Sequence, residues 1–292
     1  MSAGQETTDV CKLCGGKPLD VLEHVARCTQ CGALMYFPYP TTADVVASGF
    51  YTFEADGAEG YFRAWYAQAA PRNRVNLAHI LRFALGDLDA PLDLLDYGGG
   101  GGQFATVANS LSPQAHTFIT DLYDDALRPE WAPFNTQIPF ADFAADAHRF
   151  DVIFLNDVFE HVEDPVALLR QLEAKLKPGG KIVVNTPRPL WFLPAMQRVT
   201  PGLYGKILRG TVTMGHLQLW TRKAVNRSAA RAGLRIVRWQ EKSEFTMGPD
   251  FYVESLGLTG PVLRAAGRAF YALAPWIGRN KILALLEPAA QP

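Results

Sequence analysis

The sequence predicts an α/β fold, in which a doubly wound and mostly parallel sheet carries helices on both faces. Two observations lead to this prediction. A largely apolar run at 92–97 ends in five consecutive glycines at 98–102, which is typical of a strand that turns sharply into a helix. Further apolar runs at 150–156 and 181–185 are separated by a helical pattern. Continuous apolar runs are typical of parallel strands that are buried on both faces.

The connecting segments fit the same fold. A short apolar run at 117–120 supplies another strand after the glycines. Pro165 suits the first turn of a helix, because its fixed φ angle matches a helix start. The sequence Lys177-Pro178-Gly179-Gly180 predicts the end of that helix just before the strand at 181–185. Strands and helices therefore alternate, as a parallel sheet requires.

The four cysteines lie in one short window near the N-terminus and form two C-x-x-C pairs, each followed by glycine: Cys11, Cys14, Cys28 and Cys31. Two such pairs supply four sulfurs for a tetrahedral zinc ion, and the glycines let the backbone turn around the thiolates. We expect a structural zinc, because four cysteine ligands leave no open coordination position. Two disulfides and a redox pair are the alternatives.

Four segments are expected along the chain. Apolar repeats at Leu77, Ile80 and Leu81 predict a helix before the first strand of the sheet. Apolar stripes interrupted at Pro261 and Pro275 predict helices near the C-terminus. The segments are a zinc-ribbon module at 1–40, a helical lead-in at 41–90, the α/β core at 91–245 with a lid insertion at 188–215, and a helical extension at 246–292.

Composition limits the classes of function. The chain has 292 residues, 48% of them hydrophobic, which is enough for a large core. Its 28 Lys and Arg residues against 29 Asp and Glu residues give a net charge of −1, whereas a protein that binds nucleic acid usually carries a basic excess. The polar first ten residues do not resemble a signal peptide, and no apolar run predicts a membrane span. We expect a cytoplasmic protein.

The glycines fit two cofactor motifs. Gly100, Gly102 and Ala105 match the dinucleotide fingerprint G-x-G-x-x-G/A. Alternatively, Asp96, Gly98, Gly100 and Gly102 form D-x-G-x-G-x-G, which resembles the first-strand signature of class I S-adenosylmethionine methyltransferases. Both motifs require an acid about 20 residues further on, where it accepts hydrogen bonds from ribose hydroxyls. The glycines alone do not separate these alternatives.

Residues 149–187 favour the methyltransferase. The strand at 150–156 is followed by Glu160-His161-Val162, a helix, Lys177-Pro178-Gly179-Gly180 and another strand. This order and spacing resemble the fourth and fifth strands of class I methyltransferases and do not resemble dinucleotide dehydrogenases. The resemblance implies a seven-stranded Rossmann-like sheet and S-adenosylmethionine as the cofactor.

The resemblance also implies the residues that bind the cofactor. The glycine turn and the start of the next helix should hold the amino-acid part, and the acid after the second strand should accept both ribose hydroxyls. A pair after the third strand should bracket the adenine, and a polar residue after the fourth strand should face the methyl group. The residues are Asp96, Gly98, Gly100, Gln103, Phe104, Asp121, Asp142, Phe143 and Asn156.

Methyl transfer needs no metal, because the sulfonium is already electrophilic, but a hydroxyl or carbon acceptor must lose its proton. His161 and His216 lie where the fold places the cleft and are the candidate bases. The stretch Thr213-Met214-Gly215-His216 partly resembles the Tyr-x-Glu-His element of sugar C-methyltransferases, in which the histidine is taken as the base. In this sequence the histidine is present, but the tyrosine and the glutamate of that element are replaced by Thr213 and Gly215. A structural role is the alternative for both histidines.

These resemblances imply a small-molecule acceptor, namely a sugar, a nucleotide-sugar or an intermediate of natural-product or glycan biosynthesis. Arg188, Arg209 and Arg222 flank the lid, so an anionic acceptor is one option. The alternatives are an RNA methyltransferase whose zinc module binds nucleic acid, a non-catalytic binding protein and an NAD enzyme. Whether oxygen, nitrogen or carbon is methylated stays open, as does the oligomeric state.

Overall fold

The computed structural model describes residues 10–47, 72–244, 250, 260–277 and 279–289. The strands in these residues are β1 Pro18–Leu22, β2 Val25–Cys28, β3 Leu34–Tyr36, β4 Asp93–Tyr97, β5 His116–Thr120, β6 Thr136–Gln137, β7 Phe150–Asn156, β8 Leu176–Pro187, β9 Gln218–Leu219, β10 Leu234–Lys242 and β11 Lys281–Pro288. The helices are α1 Thr42–Ala47, α2 over 72–84, α3 Gln103–Leu111, α4 Phe140–Phe143, α5 Pro165–Glu173, α6 Leu193–Val199, α7 Pro201–Thr211, α8 Arg222–Arg231 and α9 Pro261–Ile277, with a 3-10 turn at Ala132–Phe134.

The large sheet confirms the predicted α/β class. Its seven strands have the order β10-β11-β8-β7-β4-β5-β6. The strands β4 to β8 are parallel, whereas β10 and β11 run antiparallel to their neighbours. The chain passes from β4 outward to β6 and then returns to β7 on the other side of β4. This reversal creates a crevice at the carboxyl ends of β4 and β7, where ligands of such folds bind.

Apolar residues of the central strands and of the helices that cover them form the core. Leu94, Leu95, Ile153, Phe154 and Val184 are fully buried, which explains the apolar runs in the sequence. Helix α2 lies against one face and α5 against the other. The lead-in was predicted to be helical, and α1 and α2 belong to it; its stretch at 48–71 lies outside the described residues.

A second, antiparallel sheet has the order β1-β2-β3-β9 and contains the N-terminal cysteine module. Strand β9 follows the predicted lid at 188–215, and its Gln218 and Leu219 pair with Met35 and Leu34 of β3. Helices α6 and α7 lie within the lid segment. Their side chains share a cluster with Val25 and Leu34 of the module. The module and the lid therefore pack together beside the carboxyl edge of the large sheet.

The C-terminal segment at 246–292 requires a correction, because it is not helical throughout. Helix α9 begins at Pro261 and continues past Pro275 to Ile277. Strand β11 then inserts between β10 and β8, and its residues 282–286 are almost completely buried. A short apolar run does not distinguish a buried strand from a buried helix by its periodicity. None of the described helices is long and apolar enough to cross a membrane.

Candidate functional site

The glycine turn between β4 and α3 depends on backbone conformations that favour glycine. Gly98, Gly100 and Gly102 have φ angles of +71°, +50° and +85°. A Cβ atom on Gly98 would lie 2.6 Å from Cγ2 of Val158. The Gly98 amide donates to the Thr120 carbonyl over 2.8 Å, which ties the turn to the end of β5. The main chain is therefore bare of side chains at the carboxyl edge of the sheet, where a ligand can approach closely.

Asp121 follows β5 and holds the turn through its carboxylate. Its Oδ2 accepts a hydrogen bond from the Gly100 amide over 2.8 Å, and its Oδ1 accepts one from the Tyr123 amide over 3.0 Å. Burial raises the pKa of Asp121. The structure thus brings Asp121 directly to the predicted glycines, and further lone pairs on both oxygens could accept hydrogen bonds from a ligand.

Asp96 is the second acid at the turn. It is buried at the end of β4, and its Oδ2 lies 2.6 Å from the position of a Cβ atom on Gly99. Burial and the charge of nearby Asp121 raise the pKa of Asp96 to about 7. Two carboxyl groups that disfavour each other's charge are suited to a ligand with an ammonium group and hydroxyl donors, because such donors stabilise both anions. The two acids could therefore hold the amino acid and ribose parts of the predicted cofactor.

Gln103 and Phe104 begin α3, directly after the glycine turn, as expected. The Asn73 side chain in α2 donates to Oε1 of Gln103 over 2.8 Å, and both side chains are buried. The Phe104 ring packs 4.6 Å from the Phe154 ring, between centroids, and is 3% exposed. The first turn of α3 points these side chains into the packing between helix and sheet. Their structural role explains both side chains without a ligand.

The two residues predicted to bracket the adenine lie in α4 and differ in burial. Phe143 is buried against Tyr97, with the ring centroids 5.3 Å apart, whereas Asp142 is exposed. Phe140, on the same short helix, is exposed and its ring centroid lies 6.3 Å from that of Tyr97. The sequence reasoning missed Phe140. Its place just after β6, at the carboxyl end of a parallel strand, is the signal that could have identified it.

Asn156 lies at the carboxyl end of β7 and is oriented by its neighbours. Its Oδ1 accepts a hydrogen bond from Nδ2 of Asn185 in β8 over 2.8 Å. The next residue, Asp157, has a φ angle of +57° and forms an ion pair with Lys281 of β11. Asn185 and Lys281 were not predicted, because their contacts depend on the neighbouring strands.

The two predicted bases form a pair. The rings of His161 and His216 have centroids 4.9 Å apart. Nδ1 of His161 hydrogen-bonds to the Gly215 carbonyl, and Nε2 lies 3.9 Å from Oε1 of Glu160. Glu160 also accepts a hydrogen bond from Thr186 over 2.8 Å. The sequence predicted both histidines separately, and the fold brings them together.

Burial sets the charge of this cluster. It lowers the pKa of His161 to about 3, with a contribution from His216, and lowers the pKa of His216 to about 4. Burial also raises the pKa of Glu160 to about 8. Both imidazoles are therefore neutral at pH 7. The Glu160 carboxyl group and the two imidazoles have ligand atoms within 4.8 Å of one another, so the cluster could also hold a metal ion.

The four cysteines form a cluster of sulfurs. The Sγ atoms of Cys11 and Cys31 lie 3.9 Å apart, and those of Cys14 and Cys28 lie 3.6 Å apart. A zinc ion 2.3 Å from each of four tetrahedral sulfurs separates them by about 3.8 Å. The Gly16 amide donates to the Cys14 sulfur over 3.4 Å. A zinc ion therefore fits these donors.

Comparisons with known proteins also indicate a methyltransferase. A family described as methyltransferase domain matches residues 69–238. A ubiquinone biosynthesis O-methyltransferase from Cereibacter sphaeroides is 36% identical over 124 residues, which cover 34% of this chain and 45% of that protein. A protein of the same name from Xanthomonas oryzae pv. oryzae is 26% identical over 222 residues, which cover 68% of this chain and 91% of that protein.

A solved structure is similar in fold. The 1,6-didemethyltoxoflavin-N1-methyltransferase of Burkholderia thailandensis, with 1,6-didemethyltoxoflavin and S-adenosylhomocysteine bound, has a TM-score of 0.52 and 16% identity. The similarity covers 93% of this chain and 99% of that one. At this level of identity the similarity shows a common fold.

Proposed function

The chain belongs to the methyltransferase domain family, and on this premise we propose that it transfers a methyl group from S-adenosylmethionine to a small-molecule acceptor. The observation that carries the proposal is the turn of bare glycines held by Asp121 through the Gly100 amide. A carboxylate beside a bare backbone turn can bind a ribose diol while the main chain contacts the rest of the cofactor.

The cofactor would lie across the carboxyl ends of β4, β5 and β7. Asp96, Gly98 and Gly100 would hold its amino-acid part, and Asp121 would accept the ribose hydroxyls. Asn156, oriented by Asn185, would border the methyl group. The adenine would lie beside α4, with exposed Asp142 and Phe140 and the packed Phe143 next to it.

We infer that the acceptor is a small molecule with a hydroxyl group, in the class of sugars, nucleotide-sugars and natural-product or glycan intermediates. The curated relatives are named as ubiquinone biosynthesis O-methyltransferases, which supports a small molecule and an oxygen acceptor. The near-neutral charge of the chain also favours this class over RNA.

His216 would act as the base. S-adenosylmethionine would supply the methyl group: the acceptor oxygen would bond to the methyl carbon while the bond from that carbon to sulfur breaks, with S-adenosylhomocysteine as the leaving group. The acceptor proton passes to the neutral imidazole of His216. His161, fixed by the Gly215 carbonyl and close to Glu160, would position His216 and serve as the second candidate base.

The cysteine cluster would hold a structural zinc ion, because its sulfur spacing fits tetrahedral coordination and its four thiols leave no position for a substrate. In this proposal the zinc takes no part in the chemistry.

Titration calorimetry with S-adenosylhomocysteine tests the binding site. We expect the wild-type chain to bind it and Asp121→Asn to bind at least tenfold more weakly, because hydrogen bonds to a charged acceptor are each worth about 1.5–3 kcal/mol. Asp125→Asn, at an exposed position a few residues further along, is the matched control and should bind as the wild type does. A wild-type chain that binds NAD but not S-adenosylhomocysteine would refute the proposal.

A further inference from the structure

We propose that a groove between the cysteine module and the lid binds an anionic group of the acceptor, a phosphate or a carboxylate, at a distance from the methylated atom. We call it the module–lid groove. Arg27 and Leu34 of the module line it together with Arg188, Trp191 and Leu193 of the lid segment. This inference rests on the proposed function, because it assigns a second contact point to the same acceptor.

The charges of the groove favour an anion. Arg27 and Arg188 line it, and no acidic side chain does so among the described residues. Glu241 of β10 forms an ion pair with Nη1 of Arg188 but is not part of the groove lining. A guanidinium carries several N–H donors, so Arg188 can keep this ion pair and still donate to a second anion.

The other arginines near the lid have different partners. Arg209 forms an ion pair with Glu23 over 2.9 Å. The Arg222 guanidinium carbon lies 5.4 Å from the centre of the Trp239 ring. Neither lines the groove. The structure thus selects Arg188 from the three arginines that the sequence suggested, and adds Arg27 from the cysteine module.

The groove also offers apolar contacts and limited space. Leu34, Leu190 and Leu193 line it together with Trp191, whose side chain is 63% exposed. The cavity has a volume of about 190 Å³, which is below the roughly 300–1,000 Å³ of sites that enclose a drug-sized ligand. It therefore suits one terminal anionic group, with an adjoining ring or chain against the apolar wall.

The position of the groove fits the far end of an acceptor. Asn185 in β8 bonds to Asn156, which borders the proposed methyl site. Arg188 follows Asn185 by three residues, which span roughly 10 Å of extended chain. An elongated acceptor could therefore place its hydroxyl near Asn156 and His216 while its anionic end reaches Arg188.

The second cysteine pair connects the module to helix α8 at the groove. The Thr221 hydroxyl at the start of α8 donates to the Cys31 carbonyl, and a Cβ atom on Gly32 would lie 3.6 Å from Cγ2 of Thr221. Both Gly32 and Thr221 line the groove. The module would thus act in acceptor recognition as well as in stability.

Titration of the full-length chain with phenyl phosphate, benzoate and phenol in the presence of S-adenosylhomocysteine tests the groove. Phenyl phosphate and benzoate carry a ring and an anion, while phenol, neutral at pH 7, lacks the anion. We expect at least one of the two anions to bind the wild type, phenol to bind at least tenfold more weakly, and Arg27→Gln to weaken binding of that anion about tenfold. Arg209→Gln is the control and should bind as the wild type does.

Each result has one meaning for the groove. Unchanged affinity for S-adenosylhomocysteine shows that Arg27→Gln is folded, and loss of anion binding by this variant alone supports the proposal. The proposal is wrong if the wild type binds neither anion, if phenol binds equally well, or if Arg27→Gln binds as tightly as Arg209→Gln does. Failure of the wild type to bind S-adenosylhomocysteine would instead count against the proposed function.

Discussion

At the scale of single residues, the cluster of Glu160, His161 and His216 shows how burial in the fold changes the pKa of a side chain. Burial keeps both imidazoles neutral, and it holds the proton on Glu160 up to about pH 8 by raising its pKa. An exposed histidine has a pKa of about 6.5 and would be partly charged at neutral pH. Burial therefore keeps both imidazoles unprotonated over a wider pH range and also lowers their basicity.

Replacement of His216 tests its role as the base. We expect His216→Gln to lower kcat by about 10²- to 10⁴-fold, the usual contribution of a general base, with little change in affinity for S-adenosylhomocysteine. His116→Gln is the control, because this side chain is 77% exposed at the opposite end of β5. Equal rates for both variants in a methyl-transfer assay would exclude His216 as the base.

The pH profile provides an independent test. Since burial lowers the pKa of His216 to about 4, protonation should remove the base only at acidic pH. We expect kcat to be level from pH 7 down to about pH 5 and then to fall about tenfold per pH unit below pH 4. A midpoint near pH 6.5 would show that a solvent-exposed histidine, and not His216 in this environment, acts as the base.

At the scale of elements, strand β11 completes the large sheet from the far end of the chain. It pairs with β8 on one side and with β10 on the other. Without β11, strand β10 would have no partner in the sheet, and the core would lose the buried side chains of residues 282–286. Residues 282–286 are therefore part of the core.

Truncation tests this role of β11. A chain that ends at residue 279 loses the buried side chains of one isoleucine and three leucines, each worth about 1.5–3 kcal/mol, and this sum is comparable with the net stability of about 5–15 kcal/mol of a typical domain. We expect it to be unfolded by circular dichroism. A chain that ends at residue 289 keeps β11 and should melt as the full chain does. Similar melting curves for both would mean that β11 contributes little.

At the scale of the whole molecule, the cysteine module is joined to the rest by specific contacts. Strand β3 pairs with β9, and the Ser228 hydroxyl of α8 donates to the Leu13 carbonyl over 2.9 Å. Cys11 and Trp220 belong to one buried cluster that extends into the large sheet. Loss of order in the module would therefore reach the lid and α8.

Metal analysis and thermal melting test the module. We expect one zinc ion per chain, and we expect Cys14→Ser to lower both the zinc content and the melting temperature, because metal binding by a structural site adds directly to folding free energy. A loss of a few kcal/mol corresponds to roughly 5–10 °C for a chain of this size. Thr29→Ser, an exposed change between the second pair of cysteines, should leave both unchanged. A zinc-free wild-type protein with the same melting temperature would contradict a structural zinc.

The sequence by itself determined the features that lie in contiguous residues. The glycine turn, the apolar strands β4 and β7 and the spacing of the cysteines are each recorded within a few positions, because strand burial, turn conformation and ligand spacing are local requirements. Asp121 was found for the same reason, since its place after β5 follows from the strand pattern.

Only the tertiary structure decided the features that depend on partners distant in sequence. It placed β11 as a strand, buried Phe104 and Phe143, brought His161 to His216 and placed Arg27 and Arg188 in the lining of one groove. Each outcome is decided by which strands and helices pack together, and a short segment carries no record of its distant neighbours. The local motifs could therefore be predicted from the sequence, whereas the contacts between distant residues of the site could be seen only in the tertiary structure.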